Sequence, residues 1–253
     1  MLEIDRKVLT LNYKTILFGD STHDIEGCDH VEFVDCKNEI HVKGFTCHAG
    51  YTSIIDLTQD LDTLWRNMDK KSTQYEIRRV EREGIGTHIN KHFNEFYKIN
   101  KSLARKQRRT PWFGIGISLE AMKRYGTLFA AEHNGEILGG HLYFEDEAHI
   151  RLWLSASKRL EADREKAALI GRANRLLHWE AIKYAKAKGI EGFDWGGLWS
   201  EEEATKDSAR RNINSFKQSF GGTTVKRFSY LKAYSKTARA ARYLYQLVNR
   251  VLK

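Results

Sequence analysis

The stretch from residue 127 to residue 157 alternates apolar and polar side chains with a period of two. This is the period of an extended strand with one buried face, and it constrains the fold more than any other feature of the chain. Asn134-Gly135 interrupts the stretch and supplies the positive backbone angles of a tight hairpin turn. The polar residues 145–148 provide a second turn. The stretch therefore predicts three antiparallel strands in a meander.

The segments after the meander predict a helix, a strand, a helix and a further strand. Gly189 stops the first of these helices, and Gly221-Gly222 stops the second. With the meander, this order predicts an α/β (α+β) fold that has a mixed, mostly antiparallel sheet flanked by helices. The four segments cover about residues 166–188, 190–195, 211–220 and 223–234.

The first 56 residues predict short strands, because β-branched and aromatic residues lie between Gly, Asp and Asn breakers. Thr73 and Glu76 have the spacing of a capping box at the start of a helix. We expect a single domain over 1–253, with 1–56 as a candidate N-terminal β subregion and 236–253 as a C-terminal helix. Strands are predicted at 14–19, 31–35 and 39–45, and helices at 56–69, 72–84, 92–107 and 117–126.

The composition indicates a globular protein with anionic partners. The chain has 253 residues, of which 41% are hydrophobic, so a sizeable core can form. No apolar run reaches the roughly 18–20 residues of a membrane helix, and the N-terminus lacks the apolar core of a signal peptide. We therefore expect a cytoplasmic location. The net charge of +9 favours nucleic acid, a nucleotide-bearing donor or an anionic membrane surface, without choosing among them.

The three cysteines, Cys28, Cys36 and Cys47, do not have the spacing of a known metal site. Together with His30, His41 and His48 they could be imagined as zinc ligands, but reduced cysteines in strands are the better interpretation. No metal is expected there.

Three sequence phrases carry a resemblance to a known family. They are QYEIRRVEREG at 74–84, IGRANRLLHWEAIKYAKAKGIEGFDWGG at 170–197 and FKQSFGG at 216–222. In this order they resemble the Fem-type aminoacyltransferases, which form peptidoglycan interpeptide bridges, and their single-domain relatives. The strand order likewise resembles the GNAT acyltransferase fold. The resemblance covers roughly residues 56–234.

The resemblance implies a transferase with no required cofactor. Fem-type enzymes move an amino acid from aminoacyl-tRNA onto an amine of a cell-wall peptide precursor. Other relatives take acyl groups from coenzyme A, and this alternative stays open. A second alternative is a basic, non-catalytic module that binds RNA or a partner.

The resemblance also implies catalytic roles. Lys217 matches the lysine that follows Phe216 in the family, where its ammonium would stabilise the developing oxyanion or hold the ribose-phosphate end of tRNA. Phe216 would form a wall of the groove. In GNAT-like folds the donor lies where two strands splay, here the strands RLWLSAS and GFDW. Asp194, at the end of the second strand, would accept the amine proton or, alternatively, hold the following turn.

The segment that resembles the Fem acceptor-binding helix supplies Lys71, Tyr75, Arg78 and Arg79 as substrate-binding candidates. Arginine there would bind phosphate or carboxylate. Arg78 and Arg79 are adjacent and point about 100° apart on a helix, so at most one faces a given pocket. The alternative is a solvated basic face.

Asn174 and Trp195 complete the substrate-binding candidates. Asn174 lies early on the predicted long helix, whose N-terminus could bind a phosphate through free amides. The coenzyme A signature of GNAT enzymes fits residues 164–169 poorly, which argues mildly against that donor. The basic run 104–112 could contact a polyanion. The C-terminal helix could contact tRNA or an anionic membrane, but docking on the domain is the better interpretation, through Leu244, Leu247 and Val251.

Overall fold

The computed structural model describes residues 1–8, 10–19, 21–107 and 117–251. The chain forms two compact units. One comprises Met1–Gly50, Thr110–Ala121 and Lys226–Lys253, and the other comprises Tyr51–Arg109 and Met122–Val225. Each unit has its own core.

Ten strands and eight α-helices are present in the described chain. The strands are β1 (Leu2–Val8), β2 (Leu11–Leu17), β3 (His30–Cys36), β4 (Thr46–Asp56), β5 (Gly86–Ile89), β6 (Gly126–His133), β7 (Glu136–Glu145), β8 (His149–Ser157), β9 (Gly192–Leu198) and β10 (Thr223–Ala233). The helices are α1 (Leu61–Asn67), α2 (Tyr75–Val80), α3 (Phe93–Lys106), α4 (Leu119–Tyr125), α5 (Arg164–Ala187), α6 (Glu201–Lys206), α7 (Ser208–Gln218) and α8 (Lys236–Val251).

The larger unit contains the predicted meander. Its strand order is β4-β9-β8-β7-β6-β5, and every neighbouring pair is antiparallel except β8 and β9. Asn134 and Gly135 have φ values of 51° and 79°, as the hairpin prediction requires. The predicted mixed, mostly antiparallel sheet is confirmed.

Helix α5 packs its apolar face on the core of this unit. Asp163 caps its first turn by accepting a hydrogen bond from the Lys166 amide at 2.8 Å. The buried α5 side chains Leu177 and Ile182 pack with the strand residues Phe129 and Phe193, among others. Each such fully buried side chain contributes roughly 1.5–3 kcal/mol to folding. The predicted helix at 166–188 is therefore confirmed, and it begins two residues earlier.

The segment before α2 differs from the prediction. The side chain of Asp69, not Thr73, caps the helical segment and accepts from the Ser72 amide at 2.7 Å. A π-helical turn at Lys70–Gln74 then precedes α2. Thr73 is buried, and its hydroxyl lies 2.7 Å from that of Ser219. The predicted capping box was wrong because the hydroxyl bonds to a distant side chain.

Gly221 and Gly222 form the tight turn that the sequence predicts after α7. Gly221 has a φ of 85°, and a Cβ there would lie 2.7 Å from the backbone oxygen of Asn67. A Cβ on Gly222 would lie 2.3 Å from the Ser53 hydroxyl. Only glycine fits at these positions.

The smaller unit contains the strands β1-β2-β3-β10 in that order. Strands β2 and β3 are parallel, whereas β1 and β10 pair with them in antiparallel register. Its core includes Ile16, Phe33 and Tyr230. The predicted strands at 31–35 and 223–234 are confirmed, but residues 39–45 form no strand. The cysteines are free thiols.

Candidate active site

Strands β8 and β9 separate part-way along their length. They pair in parallel only from His149 opposite Gly192 to Arg151 opposite Asp194. Beyond this point β8 continues to pair with β7, and β9 with β4. Gly196 has a φ of 70°, and a Cβ there would lie 3.0 Å from the Leu152 oxygen. The predicted splay of these two strands is confirmed.

A cavity of about 690 Å³ lies at the separation of the strands. Among the described residues, three cations line it, one each from α7, from α5 and from the turn after β8. No carboxylate is among the described residues that line it. Such a cavity favours an anionic ligand. The cations are Arg159, Arg175 and Lys217, and the aromatic lining residues are Trp153, Trp195 and Phe216.

Lys217 projects from α7 toward the end of β9. Its Nζ donates a hydrogen bond to the Gly197 oxygen at 2.7 Å. Burial lowers the pKa of Lys217 to about 8; the nearby Arg151 adds to this shift, and Asp194 opposes it. At pH 7 the side chain is therefore still mostly an ammonium, but it releases its proton far more readily than an ordinary lysine.

Asp194 is buried at the last rung where β8 and β9 pair. Its carboxylate accepts hydrogen bonds from the Thr52 hydroxyl and from Arg151, and from the Gly196 amide at 2.7 Å. It does not line the cavity. These contacts match the alternative interpretation of Asp194, in which it holds the following turn, and they speak against direct proton transfer from a substrate.

Phe216 and Trp195 form one wall of the cavity. Trp195 is fully buried, and Phe216 meets it edge-to-face at 6.2 Å. The Arg175 guanidinium lies 5.1 Å from the Phe216 ring centre, in cation–π range. Phe220 packs behind both rings and is buried. The structure therefore places Phe216 as a groove wall, as the sequence suggests.

Two histidines in the cavity lining were not predicted as site residues. His141 and His178 stack with ring centres 3.9 Å apart, and both are buried. Burial lowers the pKa of His141 to about 3 and that of His178 well below its ordinary value. Nδ1 of His178 lies 2.6 Å from the Tyr143 hydroxyl, whose pKa burial raises. Both rings are therefore neutral. The sequence neighbours of His178 are apolar, so they gave no indication that its side chain lines the cavity.

The four acceptor-binding candidates do not line the cavity. Lys71 lies on the π-helical turn, and Tyr75, Arg78 and Arg79 lie on α2; all four side chains are exposed. Arg78 lies over the Trp65 ring at 5.4 Å, whereas Arg79 pairs with Glu83 at 3.2 Å. The two arginines diverge, as their adjacency predicts.

Asn174 lines the cavity but does not lie at a helix N-terminus. It comes ten positions after Arg164, the first residue of α5, so its amide belongs to the regular hydrogen-bond ladder. Asn174 therefore offers no free amide to a phosphate. Its position in the lining leaves the side chain as a candidate substrate contact.

The remaining basic segments are only partly described. Lys106 pairs with Glu161 at 3.0 Å, and Arg105 is exposed. Arg108, Arg109 and Trp112 lie outside the described residues. In α8, Leu244 is 57% exposed, so docking through this residue was wrong; the side chains of Leu247 and Val251 lie outside the described part of the chain.

Comparisons with known proteins agree with this geometry. Residues 58–217 match the family model described as an acetyltransferase (GNAT) domain. The chain belongs to this family. The predicted acyltransferase of GNAT type is thereby confirmed. No curated protein matches the chain.

Solved structures share the fold at low identity. FemX is 13% identical with a TM-score of 0.63, over 97% of this chain and 86% of that one. L-PGS from Bacillus licheniformis is 15% identical with a TM-score of 0.58, over 97% and 85%. A C-terminal domain described as that of a lysylphosphatidylglycerol synthetase, from Agrobacterium fabrum, is 12% identical with a TM-score of 0.53, over 83% and 70%. The fold resemblance to the Fem type is confirmed.

Within the described part of the chain, no helix combines the length and apolarity needed to cross a bilayer.

Proposed function

We propose that this protein transfers an aminoacyl group from aminoacyl-tRNA to an amine of a peptide or of a cell-wall-precursor-like acceptor. The observation that carries the proposal is the cationic, aromatic-lined cavity where β8 and β9 separate. Arg159, Arg175 and Lys217 would attract the phosphate-rich 3′ end of tRNA. The aromatic walls suit the stacking of unpaired bases.

The N-terminus of α5 favours this donor over coenzyme A. A pyrophosphate binds a helix N-terminus through free amides and the positive end of the helix dipole. Here the Asp163 carboxylate already accepts from the Lys166 amide. The neighbouring pocket is lined by further carboxylates, those of Glu83, Glu136 and Glu165. With Asp163, these carboxylates outnumber Lys166 and Arg172, the two cations among the described residues of this pocket, so its net charge is negative and disfavours a pyrophosphate.

Transfer replaces an ester bond by an amide bond. The acceptor nitrogen attacks the aminoacyl carbonyl carbon, the ester C–O bond breaks, and the ribose oxygen leaves with the proton that the amine loses. The Lys217 ammonium would stabilise the oxyanion of the intermediate, a contribution of about 3 kcal/mol to lowering the barrier. Asp194 acts as a positioning residue, because it fixes Arg151 and the turn at Gly196.

The acceptor is expected to bind beside the cavity. The exposed side chains of Lys71, Tyr75 and Arg78 offer a surface for a phosphate or carboxylate of the acceptor. The names of the structural neighbours add a lipid as an alternative acceptor. We expect the reaction to take place in the cytoplasm, with contact to an anionic membrane where the acceptor is membrane-bound.

A donor competition tests the proposal. Binding of charged tRNA, uncharged tRNA and acetyl-coenzyme A is compared for the wild type, Lys217→Met and the control Lys98→Met, an exposed lysine on α3. We expect a preference for charged tRNA that only Lys217→Met weakens. Tight binding of acetyl-coenzyme A with indifference to tRNA would instead establish the acyl-coenzyme A enzyme, the second candidate, which the family description favours. Binding of neither donor would support the non-catalytic module.

A further inference from the structure

Two histidines and a glutamate meet at the edge of the sheet in the larger unit, away from the cavity lining. Nε2 of His88 lies 3.0 Å from Oε2 of Glu132, and Nε2 of His92 lies 4.0 Å from the same oxygen. One ligand atom from each of the three side chains lies within 4.8 Å of the others. Their side chains are 28–31% exposed, so the group is open to solvent on one side.

The sheet register places two of the three ligands on one face. His88 on β5 is opposite Ala130 on β6, and Glu132 is opposite Gly86. His88 and Glu132 are therefore diagonal neighbours on the same face. Gly86 has no side chain, and the His88 ring and the Glu132 side chain occupy the space beside it.

An unusual backbone conformation brings the third ligand to this face. Asn90 and His92 both have positive φ values, 55° and 61°. The Asn90 amide donates to the Leu128 oxygen at 2.8 Å, and its side chain accepts from the Leu128 amide at 3.0 Å. His92 precedes the first residue of α3, yet its side chain makes no capping hydrogen bond. The turn thus holds the His92 ring beside His88, with ring centres 4.8 Å apart.

We propose that His88, His92 and Glu132 form a binding site for Zn²⁺. Zinc takes imidazole nitrogen and carboxylate oxygen at about 2.0–2.2 Å, which sets ligand atoms about 3.3 Å apart in a tetrahedral site. The separations of 3.0 and 4.0 Å from the Glu132 oxygen lie on either side of this value, and no two ligand atoms are more than 4.8 Å apart, so side-chain rotations can complete the site. The exposed side leaves the fourth position to water.

The proposed ion links the edge strand to the following helix. β5 has only four residues and, among the strands of the described chain, pairs only with β6, while His92 lies directly before α3. Bound zinc would therefore fix β5, the turn and α3 to β6. It would stabilise the folded state by mass action without taking part in acyl transfer.

A metal titration tests the site in the full-length protein. Metal-free protein is titrated with Zn²⁺ against a chromophoric chelator, and Co²⁺ is used as a spectroscopic probe. The variants are His88→Ala, His92→Ala and the isosteric Glu132→Gln. The matched control is His133→Ala, a histidine of the same strand outside the group. Circular dichroism without metal confirms that each variant is folded.

We expect one equivalent of Zn²⁺, with affinity lowered by more than about tenfold in each ligand variant and unchanged in the control. Zn²⁺ should also raise the melting temperature of the wild type and of the control alone. Equal loss of affinity in the control, or no binding by the wild type, would overturn the proposal. A thiolate-to-cobalt absorption band would overturn it as well, because it would place the ion at Cys28, Cys36 or Cys47.

Discussion

Replacing Lys217 by methionine should make the protein more stable and much less active. The pKa of Lys217 is lowered from 10.5 to about 8. At 1.36 kcal/mol per unit, keeping the ammonium at pH 7 costs at most about 3 kcal/mol. The variant also loses the hydrogen bond to the Gly197 oxygen, which stabilises the wild type by about 1 kcal/mol. The free energy of unfolding of Lys217→Met should therefore exceed that of the wild type by about 2 kcal/mol, or about 4–8 °C in Tm.

The stability difference between Lys217→Met and the wild type should depend on pH. Between pH 8 and pH 10.5 the unfolded chain holds a proton that folded Lys217 has lost, so wild-type stability rises with pH across this window. The advantage of Lys217→Met should be complete below pH 8, should shrink as pH rises, and should be lost before pH 10.5, where the missing hydrogen bond outweighs it. Urea unfolding at several pH values measures it, with Lys98→Met as the control that should show no such trend.

Activity should change in the opposite direction. Removing a group that stabilises an oxyanion lowers kcat by roughly 100- to 1,000-fold. If the ammonium is the active form, the wild-type rate should also fall as pH rises through about 8. A variant that is less stable than the wild type at pH 7, or a stability difference that does not vary with pH, would refute the assignment of Lys217 as a half-buried cation at the cavity.

Three further changes probe the site and its frame. Asp194→Asn should cost about 3–5 kcal/mol in urea unfolding because it breaks the buried ion pair with Arg151; a loss of activity at unchanged stability would instead make Asp194 a direct participant. Arg175→Ala should weaken tRNA binding and reduce the slope of log affinity against log salt by about one; an unchanged slope would place tRNA elsewhere. Gly221→Ala should destabilise the protein by about 2 kcal/mol more than Gly135→Ala, since both have positive φ but only Gly221 faces backbone closely; equal thermal shifts would contradict this.

The parts of the fold with strong periodicity could be predicted from the sequence. The meander and α5 follow from local patterns of period two and period 3.6, and glycines mark their ends. The short edge strand β5 lacks such a pattern. β5 has four residues, three of them polar or glycine, so its pairing with β6 comes from the tertiary structure.

Some residues of the candidate site could likewise be predicted from the sequence, and others could not. Lys217, Phe216 and Trp195 were found because the FKQSFGG and FDWGG phrases resemble a family, and the cavity includes all three. The exposed candidates on α2 came from the same resemblance, and the cavity does not include them. His141 and His178 are 37 positions apart in the numbering, and only the packing of α5 on β7 stacks their rings. No local pattern contains that contact.

The separation of β8 and β9 makes the site energetically unfavourable to form. Where β8 and β9 separate, backbone pairing is lost, and the charges of Arg151, Asp194 and Lys217 are brought close together. The Arg151–Asp194 ion pair compensates for part of this cost by bonding across the last paired rung. Within the described structure Lys217 donates a hydrogen bond to the Gly197 oxygen, and its lowered pKa shows that this bond does not offset the whole cost of burying the ammonium. A stabilised cation would be a weaker partner for a developing oxyanion, because its hydrogen-bonding capacity would already be satisfied. The free-energy cost of the Lys217 ammonium in the folded protein is therefore the property that an acyltransferase would need at this position.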